Sequence, residues 1–323
     1  MSPARPWGVF VLVCLIGFLC VFREQLALTV QPINIACEHR AVASVDFSSR
    51  CNLRPKVIVY NRIPKAGSST TLALIRKLAE LNNFTLVGLN PPFNSYSKAS
   101  RAIMDAITRP ERTLIAGHFH FPEIFFGKDV EYINLLREPV SRIVSDYYYL
   151  RYGNRGRNDK IEVLQTRGNF TLDECVRLDD MNRKRCLNED FVNILQSRYL
   201  CGRDGGECEG LALPEVSARA MNNMNSVYTA GLLENYREFL QLLELAFPEF
   251  FRGASSAYHG EQKNIARTKP DYIAPGQETI HILSKLIKWD VKLHKQVESQ
   301  QQQHLQACSS VTKHSSMPET FAE

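Results

Sequence analysis

Along this chain, short uninterrupted apolar runs alternate with stretches in which apolar residues recur at helical spacing. The alternation begins at residue 57. "VIVY" (57–60) has the length and β-branched content of a buried strand. A small-residue loop follows, and then "STTLALIRKLAELNN" (69–83) places Leu72, Ile75, Leu78 and Ala79 at helical spacing. Asn82-Asn83 is a stop signal for that helix. "FTLVGL" (84–89) predicts a second strand, 97–107 a second helix, and "TLIAGHFHF" (113–121) and "VEYINLL" (130–136) two further strands. "REPVSRIVSDYYYLRYG" (137–153) reopens a helix, with Pro139 where the missing N–H is tolerated. Residues 153–215 are loop-rich. Order then returns as a helix over 214–224, a strand "VYTAGLL" (227–233), a helix "NYREFLQLLELAF" (235–247) and a long helix over about 278–300. The glutamine-rich "SQQQQHLQACSS" (299–310) reads as a fraying helix end leading into a polar tail. Strands alternating with crossover helices predict an α/β domain, a parallel sheet flanked by helices and interrupted by one irregular insertion.

Composition changes this picture little. With 323 residues, 44% hydrophobic and 23% charged, the chain is of ordinary globular make-up and long enough for one large domain. A net charge of +5 is mild for a nucleic-acid binder and suits an anionic substrate met on one face. The N-terminus adds more. Residues 7–22, "WGVFVLVCLIGFLCVF", are uncharged and bounded by Arg5 and Arg23, and the downstream "FREQLALTV" offers only a weak cleavage site. An uncleaved signal anchor is therefore expected, placing the remainder in the secretory pathway. Asn83-Phe84-Thr85 and Asn169-Phe170-Thr171 are N-glycosylation acceptors. Cys175, Cys186, Cys201 and Cys208 cluster without the C-x-x-C spacing of a zinc site, and in an oxidising compartment they predict Cys175–Cys186 and Cys201–Cys208 disulfides. Cys37 and Cys51 are available to pair with each other, leaving Cys308 over.

Candidate chemistry gathers at the strand ends. In "VIVYNRIPKAGSSTT" (57–71) a strand runs into a small-residue loop that opens a helix, where backbone N–H groups and the helix dipole favour an anion. A Walker A loop carries its lysine after the glycines; here Lys65 precedes Gly67, Ser68, Ser69 and Thr70. A plain solvated turn is the alternative. Arg137 falls at a strand's C-terminal end, where open α/β sheets place ligands, and Ser145 follows two helical turns later. A guanidinium and a hydroxyl suit a phosphate monoester, though a structural ion pair would use the same arginine. In "AGHFHF", strand alternation puts His118 and His120 on one face and Phe119 on the other. Either histidine has the chemistry of a general base; a satisfied core position or a metal pair are the alternatives, the metal being weaker without a nearby third ligand.

Taken together, Lys65 with its loop and Arg137 spaced from Ser145 resemble the two cofactor motifs of the sulfotransferases. More narrowly, the chain is similar to the Golgi uronosyl 2-O-sulfotransferases. The similarity runs from about Val57 to the long C-terminal helix, through "YNRIPK", "GHFHF", "YINLLREPVSR", "DYYYLRYG", "TLDEC", "YLCG" and "LLELAFPEFFRGA". It implies a fold related to nucleotide kinases and 3′-phosphoadenosine-5′-phosphosulfate as sulfate donor, with no metal. On that resemblance Lys65 and the amides of Ala66, Gly67, Ser68, Ser69 and Thr70 hold the 5′-phosphosulfate, Arg137 and Ser145 the 3′-phosphate, and Arg267 and Lys269 a basic loop over the nucleotide. His118 is the base and Lys65 attends the leaving oxygen. Arg62, Arg157 and His120 face the acidic sugar. Ala73, Arg76 and the H-x-H-F order resemble the dermatan and chondroitin sulfate branch more than the heparan sulfate branch, and heparan sulfate stays open. The implied layout is a cytoplasmic tail (1–6), a signal-anchor helix (7–23), a stem (24–54), a lumenal catalytic domain (55–300) and a polar tail (301–323), in a Golgi membrane and with self-association. A silent glycan-binding protein of the same fold is the rival; a nucleotide-triphosphate kinase fits the loop order less well.

Overall fold

Each of the five strands among the described residues is short and nearly all apolar, as expected when a parallel sheet is covered on both faces. They are β1 (Val57–Asn61), β2 (Thr85–Leu89), β3 (Thr113–Gly117), β4 (Val130–Leu136) and β5 (Tyr228–Leu232). All pair in parallel, in the order β2-β3-β1-β4-β5, with Asn61 opposite Gly117 and Leu136 opposite Leu232. The connection leaving β1 runs towards β2 and that leaving β4 towards β5, so the crevice between their C-terminal ends is the switch point of the sheet. The computed structural model describes residues 46–89, 96–124, 129–152, 168–187, 195–202, 208, 210–259 and 273–315.

The helices in chain order are α1 (Ser68–Asn82), α2 (Tyr96–Thr108), α3 (Pro139–Tyr152), α4 (Leu172–Arg177), α5 (Asp180–Leu187), α6 (Gln196–Cys201), α7 (Leu213–Ser226), α8 (Tyr236–Ala246), α9 (Pro248–Phe251), α10 (Ala254–His259), α11 (Gln277–Leu286) and α12 (Lys288–Ser315). Strand alternation sorts the core into two layers. On one face Ile58, Leu114, Ile133 and Leu135 pack with Leu74, Ile75 and Leu78 of α1 and with Phe239, Leu240 and Leu243 of α8. On the other, Val57, Val59, Ile115 and Tyr132 pack with Ile103 of α2, Met224 of α7 and Leu293 and Val297 of α12. A smaller third core joins Ile143, Val144 and Tyr147 of α3 to Leu172, Cys175 and Val176 of α4, Cys186 of α5 and Leu283 of α11.

The insertion is stapled as expected: Cys175–Cys186 joins α4 to α5, and Cys201–Cys208 closes the end of α6. Four sequence readings are corrected. Strand β3 stops at Gly117, so His118 and His120 are not strand residues sharing one face. The segment 46–54, expected as stem, is part of the folded unit. The N–H groups of Asn52 and Leu53 donate to the carbonyls of Leu245 and Ala246 at 2.8 and 2.7 Å, filling acceptors that the end of α8 leaves without an intrahelical donor. Cys51 is disulfide-bonded to Cys308 across 257 residues, so Cys308 is not left over and Cys51 does not pair with Cys37. Fourth, the boundary drawn at residue 300 falls inside α12, which continues to Ser315. Its glutamines are tertiary donors and acceptors: Gln301 takes the Leu232 N–H at 2.9 Å and gives to the Asn235 carbonyl at 3.0 Å, and Gln296 and Gln300 both reach Asn225. The apolar segment 7–23 and Cys37 lie outside the described residues, and among those described no helix is long and apolar enough to cross a membrane.

Candidate active site

Three adjacent strands, β3, β1 and β4, deliver the candidate residues to the C-terminal edge of the sheet. After β1 the chain turns sharply through Lys65, whose φ of 65° lies in the left-handed region, and Gly67, with φ of 72°. A Cβ on Gly67 would lie 2.6 Å from Leu233 Cδ1, so both backbone and space require glycine there. The helix α1 then starts at Ser68 with no side-chain cap on its first amides. Its positive dipole end is thus offered to a ligand.

Arg137, one residue beyond β4, donates from Nη1 to the Lys65 carbonyl at 3.2 Å. It therefore lies against the loop that the sequence pairs it with. Lys65 Nζ stands 3.7 Å from the centroid of the Tyr149 ring, a cation–π contact. Ser145 lies one turn before Tyr149 on α3 and shares its face, which brings this hydroxyl to the loop side of the helix. The N-terminus of α3 is filled by the protein itself: the Glu138 carboxylate accepts from the N–H of Val140 and Ser141 at 3.0 and 2.6 Å. The amide end of α1 has no such internal carboxylate.

His118 follows β3 directly. Its Nδ1 lies 2.9 Å from the Arg62 carbonyl, and a carbonyl can only accept, so Nδ1 carries the hydrogen and, in the neutral ring, Nε2 the lone pair. Burial, and then the Arg62 guanidinium, hold the imidazole below its ordinary pKa, while the hydrogen bond to the Arg62 carbonyl opposes them. His118 is thereby a neutral imidazole of fixed tautomer. Arg62 is anchored by its own N–H to the Gly117 carbonyl at 2.7 Å and reaches Ser68 Oγ at 3.5 Å. Burial lowers the guanidinium's pKa, and nearby Arg76 adds to that. His120 has a different setting from His118: its ring stacks on Tyr199, with centroids 4.8 Å apart. Beneath the site a buried network ties the strands together. Asn134 Nδ2 and the Tyr228 hydroxyl both donate to Asn61 Oδ1, and Asn61 Nδ2 donates to the Tyr199 carbonyl.

Lys65, Ala66, Gly67, Ser68, Ser69, Thr70, Arg62, His118, Arg137 and Ser145 thus belong to one edge of the sheet. Arg157, Arg267 and Lys269 lie outside the described residues. Asn83 and Asn169 are both exposed, Asn83 at the C-terminal cap of α1. Sequence reasoning did not single out Tyr149 or Tyr199. The aromatic run after Arg137 was visible, but its registry against Lys65 needed the α3 docking angle. Cys51, His304 and Cys308 bring potential metal-ligand atoms within 4.8 Å of one another, with the two sulfurs already joined as a disulfide.

An uncapped helix start, a lysine and an arginine, all groups that attract an anion, thus share a sheet edge with a histidine of lowered proton affinity. Comparison with known proteins agrees. Residues 53–295 match the sulfotransferase family. The chain is 28% identical over 268 residues to the heparin sulfate O-sulfotransferase of Drosophila melanogaster, covering 79% of this chain and 73% of that one. It is 29% identical over 246 residues to heparan sulfate 2-O-sulfotransferase 1 of Gallus gallus (73% and 67% covered) and 29% over 266 residues to the uronyl 2-sulfotransferase of Mus musculus (76% and 62%). The chain belongs to the sulfotransferase family and is a sulfotransferase enzyme.

Proposed function

We propose that this enzyme moves a sulfuryl group from 3′-phosphoadenosine-5′-phosphosulfate to the 2-hydroxyl of uronic acid residues in a glycosaminoglycan, with dermatan or chondroitin sulfate as acceptor. The observation that carries the reading is the pinned tautomer of His118 beside the Lys65 loop. The loop residues fit the donor: uncapped α1 amides from Ser68 to Thr70 suit the 5′-phosphosulfate, and Arg137 with Ser145 suits the 3′-phosphate. Arg267 and Lys269 complete the nucleotide contacts. In the transfer, His118 Nε2 takes the proton of the acceptor hydroxyl as its oxygen bonds to sulfur. The bond from sulfur to the phosphate oxygen breaks in line, and Lys65 offsets the charge left on that oxygen.

Arg62, Arg157 and His120 are assigned to the uronic acid, since a guanidinium recognises carboxylate and sulfate in a bidentate way. Relatives named for heparan sulfate and for uronyl acceptors stand at the same identity, so the acceptor rests on this chain's residues. Arg76, exposed on α1, adds positive charge beside Arg62 and, with Ala73 and His120, supports the dermatan and chondroitin choice. The three disulfides support an oxidising compartment. With the apolar segment 7–23, they support a single-pass Golgi membrane protein whose catalytic domain is lumenal and carries glycans at Asn83 and Asn169.

The test is transfer of labelled sulfate to separate pools of desulfated dermatan, chondroitin and heparan, followed by mapping of the labelled position. Label at the uronic acid 2-position in dermatan or chondroitin is expected. Label confined to heparan would overturn the acceptor choice, and label at another position would overturn the regiochemistry.

A further inference from the structure

Helix α6 contains no residue of the candidate site, yet it grips one. The Gln196 side chain is fully buried, at 0% exposure, and its amide brackets the backbone of Arg137. Oε1 accepts the Arg137 N–H at 3.0 Å, and Nε2 donates to the Arg137 carbonyl at 2.8 Å. The pattern mimics a strand partner just where β4 ends and Arg137 would otherwise lose its ladder bonds. Gln196 is itself fixed from a third element. Asp290, on the first turn of α12 and 1% exposed, accepts the Gln196 N–H at 2.7 Å on Oδ2 and the Ser197 N–H at 3.1 Å on Oδ1. The relay continues outward, since Arg137 Nη1 holds the carbonyl of left-handed Lys65.

We infer that Gln196, held by Asp290, is a positioning residue for the donor site: it sets the Arg137 backbone so that the guanidinium meets the 3′-phosphate. The inference rests on the proposed role of Arg137. A side-chain amide suits this task because it offers one acceptor and one donor in a plane, matching the N–H and C=O of a single residue. Glutamate at this position would keep the acceptor and lose the donor. Methionine, of similar size, would lose both. Each buried bond removed leaves its backbone partner unsatisfied, which is why a residue outside the ligand shell can matter.

The experiment uses the full-length chain and two probes, 3′-phosphoadenosine-5′-phosphate and adenosine-5′-phosphate, which differ only in the 3′-phosphate. For Gln196→Met, affinity for the first should fall about tenfold or more, the size of effect expected when buried partners are lost. Affinity for the second should stay nearly unchanged. In an Arg137→Ala background the same change should add nothing. Gln196→Glu should show a smaller loss of the same selectivity, and answers the question should the methionine variant not fold. Equal weakening of both nucleotides would mean that Gln196 merely supports the fold, and overturns the inference. So would an undiminished affinity in both Gln196 variants while Arg137→Ala loses the 3′-phosphate preference. If Arg137→Ala itself keeps that preference, the assignment of Arg137 is wrong and the inference falls with it.

Discussion

At the scale of single residues, the chemistry depends on which hydrogen each group carries. The hydrogen bond from His118 Nδ1 to the Arg62 carbonyl leaves Nε2 basic, and burial together with the Arg62 charge disfavours the imidazolium. A base is active only when deprotonated. The acid limb of the kcat profile should therefore lie below the ordinary imidazole range, with activity present above the His118 pKa and lost as pH falls through it. Arg62→Gln removes the positive neighbour but keeps the backbone carbonyl. The pKa of His118 should rise and the limb move to higher pH, whatever happens to the KM for glycan. A limb that stays put or moves the other way would show that the charge on Arg62 does not govern His118. At this scale the chain is readable in part: Lys65, Gly67 and Arg137 stand out by type and spacing. Tyr149 and Gln196 do not, because an aromatic in a helix and a buried glutamine have no local signature.

Among the elements, α6 matters more than its six residues suggest. It is held by Asp290 at its N-terminus, by Asn223 Nδ2 at the Leu200 and Cys201 carbonyls, and by the Cys201–Cys208 disulfide. It also supplies Tyr199, whose carbonyl accepts from both Phe121 N and Asn61 Nδ2. The two insertion disulfides therefore differ in consequence. Cys201→Ser/Cys208→Ser should cost on the order of 2 kcal/mol in stability and also raise the donor KM, because α6 braces Arg137 and the segment after β3. Cys175→Ser/Cys186→Ser, which frees α4 from α5 in the third core, should lower Tm with a smaller change in donor KM. Melting curves and donor titrations on both variants decide it. Equal KM changes would remove the special place given to α6.

In the molecule as a whole, α12 ties the two edges of the sheet together. Asp290 reaches α6 at the ligand edge, Gln301 meets the end of β5, and further along His304 and Cys308 meet the segment before β1. That clasp includes Arg50, whose Nη2 donates to the Val227 carbonyl at 2.8 Å, and Phe47, stacked on His304. Since Cys51–Cys308 closes almost the entire folded unit, Cys51→Ser/Cys308→Ser should lower stability by about 2–4 kcal/mol. Nucleotide affinity measured well below the transition should be unchanged, because the clasp lies at the edge away from the site. A large loss of affinity in the folded variant would contradict this separation. Legible in the chain alone were the sheet strands, the order of loop and helix around Lys65, and two disulfides separated by 11 and 7 residues. All of these depend on local periodicity or short chain loops, where few alternatives compete. Packing of the folded chain was needed for the 257-residue disulfide, the end of β3 before His118, the Nδ1 hydrogen of that histidine, and the use of a polar glutamine run as tertiary cross-links. Those outcomes require knowing which distant backbone groups are left without partners, and that is fixed only when the elements have packed.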